Sequence, residues 1–161
     1  MNESRRWLTG YLQDHYAGAV AGTELFRRVA SSHSDARVRR VVADLAAEVE
    51  TDCRELDEIM GALTIPHSKL KESVAWGVEK LGRLVPHGTV LRRSPLTDVV
   101  ELEALSLAVE GKTLGWKTLL RLAETEPSLD ASQVQDLVDR AEAQQARLEE
   151  LRLTRANQVF S

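Results

Sequence analysis

Eight side chains of the kinds that bind metals or hold protons recur at helical spacing in this sequence: His15, Glu48, Asp52, Glu103, Glu110, Glu142, Gln145 and Arg152. A carboxylate-bridged pair of iron or manganese ions needs one glutamate from each of two helices and a Glu-x-x-His pair from each of the other two. Here Glu48 is followed three residues later by Thr51, and Glu142 by Gln145, so both imidazoles of that pattern are missing. His15 stands where the pattern wants a carboxylate. A degenerate site of His15, Asp52, Glu103 and Glu110 could still take one metal. The same residues also make sense without one. Glu103 or Glu110 can neutralise Arg152, Lys117 or Arg121, and Asp52 can accept from His15, which would set the register of a helical bundle. The expectation is an interior polar network with no cofactor, iron or manganese being the alternative.

The elements that must position these groups are helices. Leu8, Leu12, Ala19, Phe26 and Val29 recur at helical spacing over Glu3 to Ala30, with His15 near the centre of the stripe. The segment SSHSDA offers N-cap candidates, after which Val38, Val42, Leu45, Val49, Leu56, Ile59 and Met60 mark a second helix to about Leu63. The third runs from Ser94 to Ala123. Ser94 can cap it, and Pro95 loses no hydrogen bond at the next position. It is apolar on two sides: Leu102, Leu105, Val109, Trp116 and Leu120 on one, Leu96, Val99, Leu107 and Leu114 on the other. The second side also carries Glu103 and Glu110. A helix of that kind belongs in the middle of a bundle, so the others are expected to pack around it. Past Glu126-Pro127-Ser128, a last long helix is outlined by Val134, Leu137, Val138, Ala141, Leu148 and Val159. A shorter helix is expected over Ser68 to Val85, with Trp76 pointing away from its apolar face as a candidate partner surface.

Composition sets the class. The 161 residues suit one domain, 1–161, that is all-α: 43% are hydrophobic, 29% charged and 4% aromatic. A net charge of −4 with intermixed signs argues against nucleic acid. The single Cys53 excludes an internal disulfide and reads as a packed residue. Neither a membrane-spanning run nor a signal-peptide core is evident, so the cytoplasm is expected. Val109-Glu110-Gly111-Lys112 lacks the strand and glycine spacing of a phosphate loop.

Two antiparallel hairpins joined by a long crossover that holds the extra short helix form a ferritin-like four-helix bundle. The stretches LQDHYAGAVAGTEL, EKLGRL and SPLTDVVELEALSLAVEGK resemble an uncharacterised bacterial helical-bundle family of ferritin-like appearance. That resemblance implies the fold and no activity. The leading functional expectation is a non-catalytic bundle acting through self-association or a protein partner. The alternative is a divergent metal-binding protein or oxidoreductase with a degenerate carboxylate/His site. A small apolar ligand held between the helices is a third reading.

Overall fold

A computed structural model describes residues 3–66 and 94–161, and the described residues form four helices: α1 (Glu3–Ser32), α2 (Ala36–Ala62), α3 (Pro95–Leu122) and α4 (Ala131–Phe160). The expected short helix over Ser68 to Val85, and Trp76 with it, lie outside the described residues. No strand occurs among those described.

Three helix starts are made by side chains. The Asp35 carboxylate accepts from the amides of Arg37 and Val38, Asp130 from those of Ser132 and Gln133, and Ser94 from that of Thr97. The end of α2 has paired backbone bonds, Ile65 N–H to Met60 O and Thr64 N–H to Gly61 O, with Thr64 left-handed at φ 54°. This is the Schellman arrangement, with buried Ile65 and Met60 as its apolar contact.

α1 and α2 form one antiparallel hairpin, and α3 and α4 the other. α1 lies against α3, and α2 more sparsely against α4. Tyr11 meets Thr118, His15 meets Gly115 and Gly22 meets Ala108, so α1 and α3 are antiparallel. α2 and α3 therefore run the same way, and Pro66 and Ser94 lie at opposite ends of the bundle.

α3 is not central. Its Leu102, Leu105, Val109 and Trp116 face is buried and Val99 is covered, but Leu96, Leu107 and Leu114 are 54%, 60% and 56% exposed. Among the described helices α3 packs mainly on α1 and α4, and its second apolar side is exposed.

Two apolar clusters fill the interior. One gathers Phe26, Val42, Leu45, Leu105 and Leu148 near the α1–α2 turn, and the other gathers Leu12, Met60, Trp116, Val134 and Ala141 toward the opposite end. Between them lies a polar layer. Asp52 sits between Val49 and Leu56, Lys112 between Val109 and Trp116, and Gln144 between Ala141 and Leu148, each at a core position of its helix.

Candidate functional site

The polar layer is built from three helices. Asp52 of α2, 1% exposed, accepts from Lys112 Nζ of α3 at 2.5 Å and forms an ion pair with Arg140 of α4, whose Nε lies 2.7 Å away outside hydrogen-bonding geometry. Gln144 closes the ring. Its amide nitrogen donates to Asp52 at 3.1 Å and to Glu48 at 3.2 Å, and its oxygen accepts from Lys112 at 2.5 Å. Arg147 holds Glu48 from the outside at 2.5 Å, and Glu55 accepts from Gln133 at 2.7 Å. A buried carboxylate between two cations satisfies the rule that interior charges are paired. Burial nonetheless pushes the Lys112 ammonium below its usual range, although Asp52 raises it.

α1 contributes small residues to the same layer, and a cavity results. It measures about 370 Å³ and is lined by α1, α2 and α3. Leu12, Phe26, Val49, Leu56 and Leu119 supply apolar wall, and His15, Lys112 and Cys53 supply polar groups. Gly18 and Gly111 line it too, and a methyl group at either would touch nothing within 4 Å. The cavity exists because the two helices approach through small residues that leave the space unfilled.

His15 is part of this wall, without the carboxylate partner expected of it. Its ring packs on Tyr11 at 4.4 Å between centroids, tilted by 58°. It also rests on the α3 backbone, with Nδ1 only 2.9 Å from where a side chain on Gly115 would begin. Burial lowers its pKa from 6.5, opposed by Asp14, which favours the neutral imidazole. Cys53 is half-buried, and burial raises its thiol pKa, so it is no ready nucleophile.

Of the expected interior network, Asp52 and Glu48 take part. Glu103, Glu110 and Glu142 are exposed, and they do not converge on Asp52. Glu142 pairs with Lys117 at 2.8 Å across the surface. Arg152 is half-buried, fixed by Glu149 at 2.7 Å and 3.7 Å from Glu103. Gln145 lies beside the layer with a buried oxygen that has no hydrogen bond, and its neighbour Gln144 fills the core position. Lys112, Arg140 and Gln144 escaped the sequence reading. Lys112 and Gln144 had a signal, since each falls where its own helix repeat calls for an apolar residue.

Sequence reasoning also missed a group at the end of the bundle. His33, Asp98 and Glu101 are all buried, with potential ligand atoms within 4.8 Å of one another. Asp98 accepts from Ser34 and from Arg155 Nη2, the latter at 2.6 Å, and lies 3.9 Å from His33 Nε2. The ring's tautomer decides its use. His33 Nδ1 accepts the amide of Asp35 at 3.1 Å, so the proton of the neutral imidazole is on Nε2, the nitrogen that faces Asp98. A nitrogen carrying a proton is no metal ligand. The group works as a polar clasp joining the α1–α2 turn to the starts of α2 and α3 and the end of α4.

Comparison with family models, with curated proteins and with solved structures finds no match. No described helix is long and apolar enough to cross a membrane.

Proposed function

We propose that this protein is a non-catalytic helical bundle that acts by self-association, two copies meeting through the outer face of α3. One observation carries the reading: Leu96, Leu107 and Leu114 form a single outward stripe, each more than half exposed. Half-buried Val100 lies on the same face.

Charge on this stripe favours an antiparallel, isologous pairing. Glu103 lies in its N-terminal half, Glu110 near its middle, and Lys117 and Arg121 in its C-terminal half. Setting Leu107 against Leu114 of the second copy brings Glu103 within a turn of Lys117 and Arg121 of that copy. Glu110 and Gly111 then fall at the twofold axis, where the two Glu110 carboxylates oppose association. The helix order, with α2 and α3 parallel, supports a ferritin-like classification. A lone cysteine agrees with a reducing, cytoplasmic setting. Iron or manganese at the interior residues gains no support, because cations already hold Asp52 and Glu48.

Sedimentation velocity over a concentration series tests this. Wild-type protein should dimerise, and Leu114→Glu should weaken the dimer by at least roughly thirtyfold. Glu110→Gln should tighten it roughly two- to fivefold. A wild type that stays monomeric at its highest soluble concentration, or a dimer indifferent to Leu114→Glu, defeats the proposal.

A further inference from the structure

We infer that the cavity between α1, α2 and α3 is a binding site for a small hydrophobic carboxylate, with Lys112 as its anchoring donor. Its volume of about 370 Å³ lies within the roughly 300–1,000 Å³ of small-molecule sites. The walls match an apolar body. Leu12, Phe26, Val49, Leu56 and Leu119 surround the space, and exposed Gly18 and Leu107 stand at its rim. The gap is not forced by crowding, since Gly18 and Gly111 both have room for a side chain. Two glycines inside long helices lower helix propensity, and here they keep the space open.

The head group follows from the polar residues. An ammonium has three N–H donors, and Lys112 uses one on Asp52 and one on Gln144. The third has no partner among the described residues, and Lys112 lines the cavity. Asp52 does not repel an anion there, because its one negative charge is set against Lys112 and Arg140. Glu48 is neutralised by Arg147, and Glu55 lies 4.0 Å from Arg140. Asp14 is exposed at the rim, where water screens it. His15 offers a second contact: among the described residues it makes no hydrogen bond, and as a neutral imidazole it can donate or accept. A charged acceptor gains more from the Lys112 donor than a neutral one does.

The inference does not rest on self-association, so the test is run in wild type and in the Leu114→Glu variant, whose substitution lies outside the cavity lining. Isothermal titration with decanoate should give one saturable site per chain in both. Decanol should bind roughly tenfold more weakly, and decylamine more weakly still. Gly18→Leu, whose Cβ would meet nothing within 4 Å and which adds apolar bulk at the cavity lining, should keep the fold and remove binding. Lys112→Met should lower decanoate affinity roughly ten- to hundredfold. Should that variant fail to fold, Gly18→Leu and the decanoate-to-decanol ratio still decide. The His15 ring signals should shift on titration. Absence of saturable decanoate binding overturns the inference, as does a Gly18→Leu variant that binds like wild type. Decanol binding as tightly as decanoate overturns the assignment of Lys112.

Discussion

Replacing Asp52 with asparagine keeps the shape of the side chain and removes its charge, leaving two cations facing each other across it. Lys112 is the one that suffers, because its side chain is only 13% exposed, whereas Arg140 at 34% can turn toward Glu55 and water. Removing one member of a buried pair costs about 3–5 kcal/mol. The retained amide oxygen and the outlet for Arg140 place Asp52→Asn near about 3 kcal/mol, a large share of the about 5–15 kcal/mol that holds a domain folded. The combined Asp52→Leu and Lys112→Met change, which removes both charges and fills the layer with apolar volume, should stay within about 1 kcal/mol of wild type. Urea unfolding followed by far-UV circular dichroism reads both. The single variant's midpoint should fall by roughly 1–2 M with the slope unchanged. The folded-state pKa of Lys112 lies below 10.5, so the unfolded chain binds more protons between the two values. The penalty of the buried ammonium is therefore present below the folded pKa and disappears as pH rises toward 10.5. Without the carboxylate that raises Lys112, the variant's folded pKa lies lower still, so the gap between wild type and Asp52→Asn should narrow as pH rises toward the wild-type folded value and stay constant above it. An Asp52→Asn variant within 1 kcal/mol of wild type at neutral pH, or a double variant as damaged as the single one, would falsify the account of the layer.

Gly115→Ala should destabilise by about 1–3 kcal/mol, because the new methyl group forces the His15 ring off the α3 backbone. In a His15→Ala background the same substitution should stabilise by up to about 1 kcal/mol through helix propensity; equal effects in both backgrounds, measured by thermal unfolding, would show that the contact is unimportant. His15 also predicts an acid response. Its folded pKa lies below 6.5, so its contribution is present above pH 6.5 and is lost as pH falls through the folded value. His15→Gln should flatten that part of the stability profile, and an unchanged profile counts against a half-buried neutral ring.

Helix periodicity and capping chemistry are local, and both were legible in the sequence. Ser94-Pro95 begins α3 and Asp35 in SSHSDA begins α2, because those side chains reach amides only two or three residues away. The expectation of an all-helical chain followed from the same local rules. Which polar residues are interior was not local. Glu103 and Glu110 lie on a leucine-rich face, and hydropathy alone cannot tell a covered face from one left outward. Only the packing of α3 against α1 and α4 decided that Leu107 and Leu114 are exposed. Lys112 reads as a surface residue by type, and it becomes interior because Asp52 and Gln144 arrive from other helices at the same height. His33 falls in a connection, where histidine is usually wet, and the close of the α1–α2 turn over α3 buries it beside Asp98. The cavity has the same origin: glycines and alanines on α1 permit close approach, but whether the space beside them is filled depends on what the opposing helices bring, and those partners are distant in the chain.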